Sequence, residues 1–322
     1  MNAHTSTGPA TQRQVLGTSP PPGWLTSTWV GFVVVAMLAL DRLPLVTWGW
    51  VVPLVAALLV AVTAPLVRSV DWVRARPDVR DLALVGGLYI AVVGLLRLAF
   101  VGFGTANLWG LFFSYAAALL LGVGGPLVYT VWLRRRPLRT LGLGVHNLRA
   151  TLLLGALLAA LQFAMTLWRI DLPEPVDWVP LLVMSLMVGL FEAIFFRGFV
   201  QGRLQASFGT IVGVAGAAGL YALYHVGYGM NLDEIQFLFG LGVVYAIIYR
   251  LVDNLLVLWP LLIPFGSFFN NLQAGDIELP WASIAGFADV MAVMALVIWL
   301  AFRHQRRASR ARPATTTEGD AR

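Results

Sequence analysis

The chain contains no cysteine and no lysine, has four histidines, and carries a charge on only 12% of its 322 residues. Without cysteine there can be no disulfide framework, no thiolate metal ligand and no cysteine nucleophile. The scarcity of charge, beside 59% hydrophobic residues and a mean hydropathy of +0.78, excludes an ordinary soluble domain. A net charge of +6 would suggest nucleic acid in a soluble protein. Here the arginines cluster in short stretches between apolar runs, which is the pattern of cytoplasmic membrane loops, so the bilayer is the expected partner and nucleic acid is not.

What is present in abundance is apolar sequence. A bilayer core of about 30 Å takes about 20 helical residues to cross. Breaks at charged, Pro and Gly residues divide the chain into about ten expected spans: Trp24–Leu40, Leu45–Val67, Leu82–Phe103, Leu108–Leu133, Ala150–Trp168, Trp178–Phe199, Phe208–Val226, Ile235–Leu251, Leu255–Leu272 and Ser283–Phe302. The fold class expected is therefore all-α, a polytopic transmembrane helical bundle. Residues 1–23, with Pro20 to Pro22, and the Arg-rich residues 304–322 read as disordered tails. Residues 24–168 form an N-terminal helical part nearly free of ionisable side chains, and 169–303 a second part that is not. Arg-bearing loops at Arg74–Arg80, Arg134–Arg139 and Arg203 alternate with acidic ones at Asp171–Asp177, Asp233/Glu234 and Asp276–Glu278. Positive loops stay inside, so both termini are expected in the cytoplasm.

The ionisable residues of the second part are the candidates for chemistry. Glu192 and Arg197 lie in the sixth span, in Gly-Leu-Phe-Glu-Ala-Ile-Phe-Phe-Arg-Gly-Phe. A carboxylate at that depth costs several kcal/mol, so it is paired, protonated or used. Five residues of α-helix turn the two side chains about 140° apart, so Arg197 is expected to tie this helix to another or to the interface. His225, in Tyr-Ala-Leu-Tyr-His-Val-Gly-Tyr, is the one histidine within a span. A lone buried His is more often a structural residue than a catalyst, but a carboxylate on the preceding helix makes the pair a site hypothesis. Counted along their spans, Glu192 falls mid-helix and His225 near the outer end, a mismatch in depth. Arg97 reads equally as a functional charge or a structural clasp. Tyr224, Tyr228 and Tyr245 are hydrogen-bond donors or packing, Asp289 and the Arg250/Asp253 pair are weaker candidates, and Gly209 to Gly219 suggest close helix contact.

Glu-Ala-Ile-Phe-Phe-Arg-Gly-Phe, then Tyr-Ala-Leu-Tyr-His, then Phe-Leu-Phe-Gly-Leu-Gly, Leu-Trp-Pro-Leu-Leu-Ile and Asn270 resemble the family of CAAX-protease and bacteriocin-processing (CPBP) proteins, which includes the type II CAAX prenyl endopeptidases. That family's pattern is Glu-Glu-x-x-x-Arg, Phe-x-x-x-His and His-x-x-x-Asn on consecutive core helices. The resemblance covers about Leu181 to Leu272 and implies a CPBP-type protease core. It further implies catalytic roles for Glu192, His225 and Asn270, with Arg197 and Tyr221 supporting them. Ala193 stands in place of the second Glu, Tyr221 in place of the Phe, and Gly266 in place of the second His. The resemblance assigns Glu192 and His225 to holding and activating a water, and the missing His and Asn270 to the oxyanion or a metal site. A histidine at Gly266 is accordingly expected to restore a donor.

A catalytic zinc normally takes three protein ligands. Glu192 and His225 would be its only ligands here, so the cofactor is left open between none and a divalent metal such as zinc. The reading reached is an intramembrane endopeptidase of metallo- or glutamate-type that cleaves a peptide or membrane-associated protein with a Glu-activated water, in a bacterial plasma membrane. The rival is a pseudoprotease that binds a membrane protein or peptide without cutting it. A transporter is the weakest reading, since no internal repeat or broken helix is evident.

Overall fold

The structure is a computed structural model that describes residues 60, 63–64, 78–104, 107–144, 147–167, 174–274, 279 and 281–310. The first two expected spans fall almost wholly outside these residues, as do both tails and most of the acidic loops at Asp171–Asp177 and Asp276–Glu278.

The described residues are helical, with no strand among them. Helix α1 runs over Val79–Phe103 and α2 over Leu108–Leu133, both mixing α and π turns. A single 3-10 turn, Leu138–Leu141, leads to α3, Leu148–Leu167. Helix α4 is α-helical over Pro175–Glu192, π-helical over Ala193–Gln201 and α-helical again over Gly202–Phe208. Helix α5, Thr210–Leu223, continues into a 3-10 segment, Tyr224–Tyr228. Helix α6 is Leu232–Val252, α7 the short Leu255–Leu258, α8 Leu262–Ala274 and α9 Ser283–Arg310.

Six of these helices are long and apolar enough to cross a membrane, and the chain is an integral membrane protein by that measure. The expected count of about ten is not reproduced among the described residues. The stretch Ala150–Trp168 contributes a shorter apolar helix, Leu148–Phe163. The stretch Leu255–Leu272 is two helices, because α7 ends at Trp259 and Pro260 has no N–H with which to continue the ladder. That break also removes one of the two arguments against a transporter.

Local chemistry sets the boundaries. Asp78 caps α1, and Asn231 with Glu234 forms a reciprocal capping box at the start of α6. Gly209, at a φ of 84° open to glycine, separates α4 from α5, so Arg203 belongs to a helix and not to the loop expected from sequence.

The core is aromatic where α4 crosses the bundle, with Phe191, Phe195, Phe196 and Phe199 all buried. Close approach holds α4 in place. A Cβ at Gly189 would sit 2.8 Å from Pro264 of α8, and one at Gly198 2.5 Å from the Leu141 carbonyl. Trp259 donates its indole N–H to Leu186 O at 2.9 Å, and Gln201 donates to Ala246 O of α6 at 2.7 Å.

One end of the bundle gathers the arginines. Asp81, 4% exposed, accepts from Tyr129 at 2.5 Å and pairs with Arg136 at 2.8 Å and Arg134 at 3.2 Å. Arg203 reaches it at 3.8 Å and also donates to Thr130 at 3.3 Å. Gln305 of α9 bonds both Leu138 N and Arg136 O at the same end.

Candidate functional site

The site is built where α4 and the end of α5 run side by side. The two helices fold back on one another at Gly209, with Glu192 about 17 residues before that turn and His225 about 16 after it. At 1.5 Å per residue the antiparallel pair comes out nearly level. The apparent mismatch in depth therefore disappears, because α4 extends to Phe208 and α5 starts only at Thr210.

Glu192 is 3% exposed. Its carboxylate accepts hydrogen bonds from the hydroxyls of Tyr224 and Tyr221, the latter at 3.4 Å. His225 touches the same two residues. Its ring centroid lies 4.0 Å from that of Tyr224 and 5.2 Å from that of Tyr221, and its Nδ1 is 3.0 Å from the Tyr221 carbonyl. A carbonyl only accepts, so this bond assigns the proton to Nδ1 and leaves the Nε2 lone pair free. Tyr228 completes the ring of aromatics, 5.6 Å from both His225 and Tyr224.

Two contacts hold the 3-10 turn that carries His225. Arg97 of α1 donates from Nη1 to Val226 O at 3.0 Å, which shows the clasp role weighed for it from sequence. Gly227 lies so close to α1 that a Cβ would stand 2.8 Å from Leu96 Cβ. Tyr221 is pressed from the other side by α6, where a Cβ at Gly242 would meet its ring at 2.8 Å.

Arg197 ties its helix to another, as one of the two expectations had it: it is 1% exposed, with its guanidinium 4.8 Å above the ring of Tyr221 on α5. It is also within electrostatic reach of Glu192, which the expected rotation did not allow for. The 140° separation assumed 3.6 residues per turn. The chain between the two residues is π-helical, bonding i to i+5, so a residue five positions on returns toward the same face. Among the described residues, neither terminal nitrogen of Arg197 has a hydrogen-bond partner.

Gly266 lies on α8, and the space a side chain there would need is already taken. A Cβ would fall on the Tyr245 hydroxyl and 2.8 Å from Gln162 Nε2. A histidine at Gly266 therefore cannot simply restore a donor, as expected from the motif; it must first displace Tyr245. The backbone of Asn270 is on the same helix, while its side chain lies outside the described residues. Sequence reasoning had placed Tyr224 and Tyr245 among several tyrosines of equal standing, and only the helix pairing singles them out. Among the described residues no group of three or more His, Cys, Asp or Glu side chains could hold a metal ion. Glu192 and His225 alone do not make a catalytic zinc set, which takes three protein ligands.

Residues 174–262 match the family model of the type II CAAX prenyl endopeptidases, Rce1-like. The resemblance read from the motifs holds over this segment, which contains Glu192, Arg197, Tyr221 and His225 and ends before Gly266 and Asn270. No curated protein and no solved structure matches the chain. The Rce1-like segment thus lies within a membrane-spanning helical protein, and a CAAX-protease-type activity on a peptide or protein in the membrane is the function it suggests.

Proposed function

We propose that the chain is an intramembrane endopeptidase in which Glu192 is the general base and His225 orients the attacking water. The observation that carries this reading is the convergence of a buried carboxylate and a buried imidazole on the same two tyrosines, inside a bundle where an unused carboxylate is costly. Tyr221 and Tyr224 fix the carboxylate, and the free Nε2 of His225 orients the water by accepting a hydrogen bond from one of its protons. Glu192 takes the other as the water oxygen bonds to the carbonyl carbon of the peptide. The carbonyl π electrons move onto its oxygen, and collapse of this adduct breaks the C–N bond as the proton passes from Glu192 to the leaving amine. Arg197, within electrostatic reach of Glu192, favours its ionised form. Asn270 supports the same chemistry on the strength of its motif position.

A second reading has its own observation. The space in front of Gly266 is closed by Tyr245, and a site altered there binds a membrane protein or peptide partner without cutting it. Glu192→Gln separates the two. Gln keeps the volume, accepts from one tyrosine hydroxyl through its amide oxygen and donates to the other through its amide nitrogen, but cannot take up a proton. With purified full-length protein in detergent and a quenched-fluorescence peptide library, the protease reading expects cleavage by the wild type and its loss in Glu192→Gln at unchanged thermal stability. Partner capture by both proteins with cleavage by neither establishes the pseudoprotease. Cleavage at the wild-type rate by Glu192→Gln overturns the catalytic assignment.

A further inference from the structure

Peptide hydrolysis places a negative charge on the carbonyl oxygen, and the two residues assigned to the water cannot stabilise it. Glu192 is an acceptor whose oxygens are taken by Tyr221 and Tyr224, and the one N–H of neutral His225 is spent on the Tyr221 carbonyl. A site without a donor for that oxygen is missing the largest single contribution to acyl-transfer catalysis. Donors that are buried, close to Glu192 and not committed elsewhere are therefore the ones to look for.

Among the described residues, two side chains meet that description. Tyr245, 1% exposed on α6, is in electrostatic reach of both Glu192 and Arg197. Among the described residues its hydroxyl makes two long contacts, 3.3 Å to Gln162 Oε1 and 3.3 Å to Leu262 O, so its proton is weakly held where it stands. It occupies the gap left open in front of Gly266, and that gap exists because position 266 has no side chain. Arg197 brings two terminal nitrogens with no partner among the described residues, in a bundle where an unsatisfied guanidinium is costly. An anionic oxygen arriving between them satisfies both at once.

We propose that the Tyr245 hydroxyl and the Arg197 guanidinium form the oxyanion-binding side of this site, opposite the Glu192–His225 water. The inference rests on the hydrolytic reading above. In this arrangement the oxygen that gains the π electrons of the scissile carbonyl accepts from Tyr245 Oη–H and from an Arg197 N–H. Both donors are released when the carbonyl re-forms and the amine departs.

Tyr245→Phe tests it by removing one oxygen and keeping the ring. Kinetics use the full-length protein in detergent and the fastest-cleaved library peptide. Binding is measured with a phosphonate analogue of that peptide, which carries a tetrahedral anion, and with its uncleavable amide counterpart. The expected result is a fall in kcat of about 10²-fold with KM little changed. Phosphonate affinity should weaken by a similar factor and amide affinity should not. Tyr249→Phe, which removes a phenol one turn further along α6, should leave all these values near wild type. A merely structural role for Tyr245 would lower thermal stability and affect the two ligands alike. A kcat within two- to threefold of wild type, or equal loss of both ligands, overturns the proposal while leaving Glu192 untouched. Failure of the hydrolytic reading shows separately, as cleavage by Glu192→Gln. A wild-type chain that cleaves no library peptide overturns both.

Discussion

Gly266→Ala adds one methyl group, and the structure says where it must go. The new Cβ falls on the Tyr245 hydroxyl and 2.8 Å from Gln162 Nε2, in a region where Tyr245 is 1% exposed and cannot swing toward solvent. Forcing a methyl into a filled core costs about 1–3 kcal/mol. Replacing glycine by alanine within a helix returns about 0.5–1 kcal/mol, so mid-range values leave a net destabilisation of about 1 kcal/mol. For a large domain that is a fall in Tm of about 2–4 °C. The measurement is thermal unfolding in detergent, followed by the intrinsic fluorescence of the tryptophans. Tyr245→Phe on the same background supplies the control. Without the oxygen, the nearest ring atom is the Cζ at 3.3 Å, a contact that yields to a shift of a few tenths of an ångström. The two substitutions should therefore couple favourably by about 1 kcal/mol. A Gly266→Ala protein as stable as wild type, or strictly additive effects in the double variant, would refute the claim that Tyr245 fills this space.

Two further outcomes follow from the architecture. Because the chain has no cysteine, single-Cys substitutions report topology cleanly. Arg139→Cys should be labelled from the cytoplasmic side and Glu174→Cys from the opposite side, and labelling of both from one side would overturn the orientation. Arg97→Gln removes the guanidinium that holds Val226 O in a half-wet setting, so a loss of about 1 kcal/mol in thermal stability is expected, together with a fall in kcat larger than the change in KM. Unchanged turnover in that variant would show that the His225 turn does not depend on its clasp.

Much of the site was legible because rare residues stand out in an apolar chain. Glu192 and His225 were recognisable as ionisable residues inside apolar spans, and the motif spacing around them led to the matched family segment. The partnership of Glu192 with Arg197 was not legible, since rotation per residue was taken as that of an α-helix. No composition rule marked Ala193–Gln201 as π-helical. The break at Trp259 and Pro260 was hidden inside an apolar run, although the proline was in plain view. Arg203 looked like a loop residue because an arginine commonly marks a span end, whereas its charge is absorbed by Asp81 on another helix. Nothing along the sequence pairs position 203 with position 81, nor 245 with 266. Such pairs exist only once helices are assembled.

The position of these partners in the chain bears on how the protein enters its membrane during synthesis. Helix α4 carries Glu192, Arg197 and Arg203, each a charge that an apolar helix pays for during insertion, at about 2.5–3.5 kcal/mol near the membrane centre. The groups that receive Arg203, Asp81 and Thr130, belong to α1 and α2 and are made first. Those that receive Glu192, Tyr221 and Tyr224, belong to α5 and its 3-10 extension and are made directly afterwards. Helix α4 therefore settles at one end against helices already in place and at the other only when the following helix arrives, so that α4 and α5 enter the bilayer as a hairpin and a chain halted after Phe208 leaves the Glu192 carboxylate without the two hydroxyls that hold it.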